Sequence, residues 1–149
     1  LQISLFDPDN RRQVDYPSLQ KMLSSLIETG KPGSTLDQEK LWLTSRILGL
    51  RKEIPEVFVS AESGYAPLPA TTSHAFAYVR TVDGDPAIAV VTERHHSGIA
   101  AAGGFGEHAV VLPEGTWVDV LTGAVVDGGA VLLSDLLATL PAAVLRKEN

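Results

Sequence analysis

Hydrophobic positions along this chain keep two different periods. Between residues 15 and 53 they recur every three or four places, as one face of an α-helix requires. Leu19, Met22, Leu23, Leu26 and Ile27 make the first such stripe. Asp15-Tyr16-Pro17 starts it, with Asp able to cap and Pro suited to a first helical turn, and Gly30 stops it. After the polar turn Lys31-Pro32-Gly33-Ser34, Thr35 is placed to cap a second, longer helix. Leu36, Leu41, Leu43, Ile47, Leu48 and Leu50 give that helix a broad apolar face up to Glu53, just before Pro55. From Val57 onward the rhythm shortens to β-branched and aromatic runs broken by Gly, Pro and Asp, the pattern of antiparallel strands.

Strands are expected at residues 57–60, 65–68, 75–80, 87–92, 108–112, 116–121, 124–126, 131–133 and 142–146. Asp83-Gly84, Pro113-Glu114-Gly115, Thr122-Gly123 and Asp127-Gly128-Gly129 supply turns between them. Residues 134–140 read as a helical turn or two, and residues 97–106 as the loosest stretch. The fold class is therefore α + β. Two helices behind a polar loop occupy residues 1–55, and an antiparallel β-sandwich of about eight strands occupies residues 56–149.

Composition narrows the class. At 149 residues and 44% hydrophobic the chain is large enough for one or two modest cores. Its longest apolar runs, such as Ala109-Val110-Val111-Leu112, are far shorter than the roughly 20 residues of a bilayer span, so no membrane partner is expected. The net charge of -6 is uneven: residues 1–60 carry eight Lys/Arg against eight Asp/Glu, residues 61–149 four against ten. Nucleic acid is excluded as a partner, because phosphate neutralisation needs a basic face. The lack of cysteine removes disulfides, thiolate nucleophiles and zinc–thiolate sites, and fits a cytoplasmic location. The chain opens on Leu1 and runs at once into Ile3-Ser4-Leu5-Phe6, which reads as the end of a strand; a piece of something larger is the expectation.

The densest chemistry lies at Asp7-Pro8-Asp9-Asn10-Arg11-Arg12-Gln13-Val14-Asp15-Tyr16. Carboxylates, an amide and two guanidiniums so close together suit a polar pocket, although Asp-Pro and Asp-Asn are also ordinary turn chemistry. Elsewhere the bland readings win. Trp42 and Trp117 are expected in a core rather than as sugar platforms. Glu93, His95, His96, Glu107 and His108 match no familiar metal spacing and read as a solvated loop. Gly104-Phe105-Gly106 leads into a strand, not a helix, so it is no dinucleotide fingerprint. Ser97 and Ser134 lack a nucleophile-elbow context. Tyr65 and Tyr78 alternate as sheet residues do, and no row of exposed aromatics stands out.

Three segments carry a family resemblance: the polar loop with Val14-Asp15-Tyr16, then Lys40-Leu41-Trp42-Leu43-Thr44, then Leu112-Pro113-Glu114-Gly115-Thr116-Trp117-Val118-Asp119-Val120-Leu121-Thr122-Gly123. In this order they resemble the C-terminal part of the maltooligosyl trehalose synthases, members of the α-amylase superfamily of glycoside hydrolases. The resemblance implies that residues 1–55 are the end of a TIM-type α/β barrel and residues 56–149 the domain that follows it. It also implies an intramolecular transglycosylase (isomerase) that turns the reducing-end α-1,4 linkage of a maltooligosaccharide into α,α-1,1. The catalytic carboxylates of such enzymes come from the middle of the barrel, outside this chain, so the fragment alone is expected to be inactive. Asp7, Asn10, Arg11 and Arg12, with Asp9 and Asp15 beside them, are the substrate-binding residues implied, at the rim where barrel active sites lie. No metal or organic cofactor is implied. The implied partners are the maltooligosaccharide, the rest of the barrel, and maltooligosyl trehalose trehalohydrolase as the pathway enzyme that takes the product. Two other classes stand beside this one: a non-catalytic carbohydrate-binding or structural sandwich module, and the C-terminal part of another α-amylase-type glucosidase or glucosyltransferase.

Overall fold

A computed structural model describes residues 14–148, and the polar cluster at residues 7–12 lies outside them. The chain divides into two compact units between Arg46 and Ile47, inside the second helix. The first unit contains helix α1, Tyr16–Thr29, and most of α2, Leu36–Glu53.

Both helices begin and end as their sequences dictate. Asp15 caps α1: its carboxylate accepts from the Ser18 amide at 3.1 Å and the Ser18 hydroxyl at 2.7 Å. These bonds hold the Asp15 carboxyl below its ordinary value of 3.8, the side-chain bond contributing most. Gly30, at φ 65°, turns the chain out of α1, its amide reaching back to the carbonyls of Leu26 and Ile27. At the start of α2, Thr35 Oγ1 accepts from the Gln38 amide while Gln38 Oε1 accepts from the amides of Ser34 and Thr35, a reciprocal capping box. Leu26, Trp42 and Leu50 are buried; Tyr16, Ile27, Leu36 and Leu48 are exposed.

The second unit is built on one six-stranded antiparallel sheet. Its strands are β1 (Ser63–Pro67), β2 (Ala75–Val82), β3 (Asp85–Glu93), β4 (Ala109–Asp119), β5 (Val125–Leu132) and β6 (Ala142–Lys147), in the order β1-β2-β3-β6-β4-β5. Beyond β1 the chain leaves β2 and pairs with β4 instead: the Val111 amide donates to Pro69 O and the Thr71 amide to Ala109 O, both at 2.9 Å. This second pairing curls the sheet around its own inner face. Ala77 and Val79, Ala89 and Val91, Ala143 and Leu145, and Val110, Leu112 and Trp117 fill that face, and Leu133 and Leu136 of α5, Leu133–Leu136, complete it.

These strands correct the expected sandwich in three places. Residues 57–60 are not a strand: Glu56–Val59 form a helical turn, α3, which follows Pro55 and whose carbonyls at Val57 and Phe58 accept from Arg80. The expected strands at 108–112 and 116–121 are one strand, β4, and those at 124–126 and 131–133 are one strand, β5. The turn residues between them make an irregularity inside a pairing, with the register shifting between Leu112 and Thr116. This changes the inward phase from even to odd, so Val110 and Leu112 before it and Trp117 and Asp119 after it all face inside. Finally, the 97–106 stretch holds a short helix, α4, His96–Ala101, anchored by buried Ile99.

Candidate functional site

Of the six implied substrate-binding residues, Asp7, Asp9, Asn10, Arg11 and Arg12 fall outside the described residues, and Asp15 is the N-cap of α1. The remaining motif residues build structure. Trp117 is fully buried, its indole N–H donates to Pro113 O at 2.9 Å, and the Lys147 ammonium lies 6.0 Å from its ring centre. Gly115, at φ 122°, leaves the room that Lys147 fills. Asp119 is the one buried charged side chain among the described residues. Its Oδ1 accepts from the amides of Leu121 at 3.0 Å and Val144 at 3.1 Å, and its Oδ2 from the Thr122 hydroxyl at 2.6 Å. The carboxylate thus ties the turn after β4 to β6, which is why the Trp-x-Asp-x-Leu-Thr-Gly pattern reads as a unit.

Two surface features are candidates for ligand chemistry. The first is aromatic: Tyr65 on β1 and Phe76 and Tyr78 on β2 gather on the outer face, with Tyr65–Tyr78 centroids 6.3 Å apart and Phe76–Tyr78 5.8 Å. Tyr65 and Phe76 are exposed. The sequence showed no such row, because the register that sets Pro67 opposite Tyr78 brings Tyr65 to Tyr78 from 13 places away, beside Phe76 two places along the same strand. The rings stand at 83° and 49° to one another and share no plane.

The second is a cleft of about 620 Å³ between the segment after β1 and the α4–β4 connection. Thr71, Thr72, His74, Phe105, Glu107 and His108 line it, with Gly103, Gly104 and Gly106 forming an open wall. All four histidines of the chain lie in this neighbourhood. The His74 and His95 rings meet edge to face at 6.3 Å, His96 Nδ1 lies 2.8 Å from Glu93, and His108 Nδ1 3.1 Å from Thr71 Oγ1. His74 packs so closely on Gly98 that a Cβ there would sit 2.6 Å from the ring, and its buried Nδ1 has no hydrogen-bond partner. The solvated loop expected around Glu93, His95 and His96 is therefore partly helical. No group of His, Asp and Glu able to hold a metal ion occurs among the described residues. No described helix is long and apolar enough to cross a membrane.

No family model matches the chain. Over 98% of its length it is 33% identical to proteins of two Mycobacterium tuberculosis strains that are provisionally assigned as maltooligosyl trehalose synthase, and it spans 17% of their length. Its fold superposes with a TM-score of 0.81 on the solved maltooligosyltrehalose synthase of Arthrobacter ramosus and on a point mutant of that enzyme. Identity to each is 32%, over 97% of this chain and 18% of theirs. In class, then, this is a mixed helix and antiparallel-sheet chain homologous to about a sixth of a larger enzyme. That enzyme is maltooligosyl trehalose synthase, the family to which the three sequence motifs point.

Proposed function

We propose that the chain is the C-terminal part of a maltooligosyl trehalose synthase, an isomerase of trehalose biosynthesis that moves the reducing-end α-1,4 linkage of a maltooligosaccharide to α,α-1,1. The observation that carries this reading is the match in both sequence and fold along nearly the entire chain. In this reading α1 and α2 close the catalytic barrel, and exposed Tyr16, Ile27, Leu36 and Leu48 are apolar positions for the rest of it to cover. The curled sheet is the domain behind the barrel, working in the cytoplasm.

The chemistry is a retaining transfer, which needs a carboxylate nucleophile and a carboxylic acid about 5 Å apart across the scissile bond. Those groups belong to the barrel beyond this chain, so the 149 residues alone do not turn over substrate. The chain contributes the loop of Asp7, Asp9, Asn10, Arg11, Arg12 and Asp15. A guanidinium is a planar fork that suits carboxylates and pairs of hydroxyls. Closing one end of the cleft with such groups holds the freed glucose for re-attack and keeps water out, so isomerisation outruns hydrolysis. The linear product then passes to a trehalose-releasing hydrolase.

The test uses the complete parent enzyme on maltopentaose, following reducing ends lost against glucose released. Loss of reducing ends with little free glucose supports the isomerase, and glucose release without that loss overturns it. Replacing Arg11 or Arg12 by Ala is expected to raise the share of hydrolysis; an unchanged product ratio refutes the role given to the loop.

A further inference from the structure

We infer that the cleft between the segment after β1 and the α4–β4 connection is a second site, one that binds a neutral saccharide. It lies in the curled-sheet unit, which contains none of the residues assigned to the substrate loop.

The lining chemistry selects the ligand class. A volume of about 620 Å³ falls within the roughly 300–1,000 Å³ of small-molecule clefts. Glu107 is the one charged residue in the lining, and no Lys or Arg lines it. An anion would therefore meet a carboxylate without a compensating cation, and phosphates and carboxylic acids are disfavoured. What the cleft offers is suited to hydroxyl groups. Glu107 accepts, and the hydroxyls of Thr71 and Thr72 are in the wall. Thr71 Oγ1 accepts from the Ala109 amide at 2.9 Å and shares a further hydrogen bond with His108 Nδ1 at 3.1 Å. His108 Nε2 takes no part in that bond and can pair with a hydroxyl in either tautomer. Phe105 adds an apolar face for the C–H side of a pyranose ring. The space beside Gly103, Gly104 and Gly106 is open, with no atom within 4 Å of where a Cβ would stand, so a ligand can approach the backbone. His74 stands in the lining with its Nδ1 edge enclosed against Gly98 of α4, so its ring reports on the cleft without that nitrogen meeting a ligand. The tilted rings of Tyr65, Tyr78 and Phe76, by contrast, give no common plane on which a sugar chain could lie.

Imidazole resonances report directly, because every histidine of the chain is near the cleft and two of the four line it. The 149-residue chain is titrated with glucose and with maltotriose, and the ring signals are followed by NMR. Only the choice of maltotriose rests on the function proposed above; glucose has no linkage, and failure of the isomerase reading shows separately in the reducing-end assay. Saturable shifts at His74 and His108 with either sugar, with His96 unmoved, are the expected result at about 50 mM ligand, where a millimolar site is nearly full. Glu107→Ala and His108→Ala, both at exposed positions, are expected to weaken binding about tenfold or more. Gly98→Ala, which pushes His74 aside, is expected to change the His74 shift and the affinity together. Absence of saturable shifts with both sugars overturns the inference. Unchanged affinity in both Ala variants overturns it as well, and so does binding of inorganic phosphate at His74 and His108 in preference to sugar.

Discussion

Replacing Asp119 by Ala should cost more stability than any other single change among the polar side chains described. The carboxylate is 1% exposed and receives three hydrogen bonds, two of them from main-chain amides that belong to separate elements. A bond to a charged group contributes about 1.5–3 kcal/mol net, and an amide left buried without a partner costs about 1–3 kcal/mol. Removing all three acceptor contacts at once does not sum them, since they share one side chain. The expected loss is therefore about 3–5 kcal/mol, against a total of about 5–15 kcal/mol for a domain. Asp119→Asn keeps an Oδ1 acceptor for the Leu121 and Val144 amides and loses mainly the charge and the Thr122 contact, so about 1–3 kcal/mol is expected. Thr122→Val removes the third bond together with the acceptor of the Ala124 amide at 3.3 Å, and should cost about 1–2 kcal/mol. Urea unfolding followed by Trp117 fluorescence, in a Trp42→Phe background so that the other unit is silent, gives the midpoint and slope. If Asp119→Ala lies within about 0.5 kcal/mol of the parent protein, the reasoning is refuted. If that variant fails to fold, the order of the Asn and Val variants decides: Asn no worse than Val by more than about 2 kcal/mol is required.

Trp117→Phe forfeits the indole bond to Pro113 O and opens space in the core, and should lower the unfolding free energy by about 1–3 kcal/mol in the same assay. Gly128→Ala would place a Cβ 2.3 Å from Pro113 O, a main-chain atom at the β4 irregularity, and is expected to destabilise by about 1–3 kcal/mol. Gly49→Ala, on a helix with no atom within 4 Å of the new methyl, should instead stabilise by about 0.5–1 kcal/mol; a differential melt of the two variants checks both signs. The Asp15 carboxyl titrates lower in the folded chain than unfolded, so its capping contribution is complete above the ordinary value of 3.8 and is lost as pH falls through the lowered one. The Ser18 amide resonance should therefore titrate with a midpoint below 3.8, and Asp15→Asn, which still caps, should abolish that titration.

Both helices were legible from local chemistry because every signal that sets them lies within a few residues: Asp15 with Ser18, Thr35 with Gln38, Gly30 with Leu26 and Ile27. Trp42 and Trp117 are buried, as expected of large aromatics in regular elements, although Leu36 and Leu48 of the expected apolar face of α2 are exposed. The family was readable too, since the Trp117–Gly123 pattern includes the local contacts of Asp119 with Leu121 and Thr122, although its bond to the Val144 amide is long-range. Strand number was harder. Pro113-Glu114-Gly115 and Asp127-Gly128-Gly129 have the composition of turns, yet they face each other across β4 and β5 and produce an irregularity within one long pairing. Composition cannot tell a break in the chain's direction from a bulge in a strand, because the difference lies in what sits opposite. Likewise Val57, Phe58 and Val59 have strand-forming side chains, but Arg80 supplies donors to the carbonyls of a helical turn there. The meeting of Tyr65 with Tyr78 and the histidine-lined cleft belong to tertiary structure. Tyr65 meets Tyr78 through strand register, and Thr71 meets His108 because the segment after β1 abandons β2 for β4. Local periodicity and capping determine which segments are helices and which face of each strand is apolar. Only the closing of the sheet on itself decides which distant polar groups share a cleft, since that depends on long-range pairing energies no single segment contains.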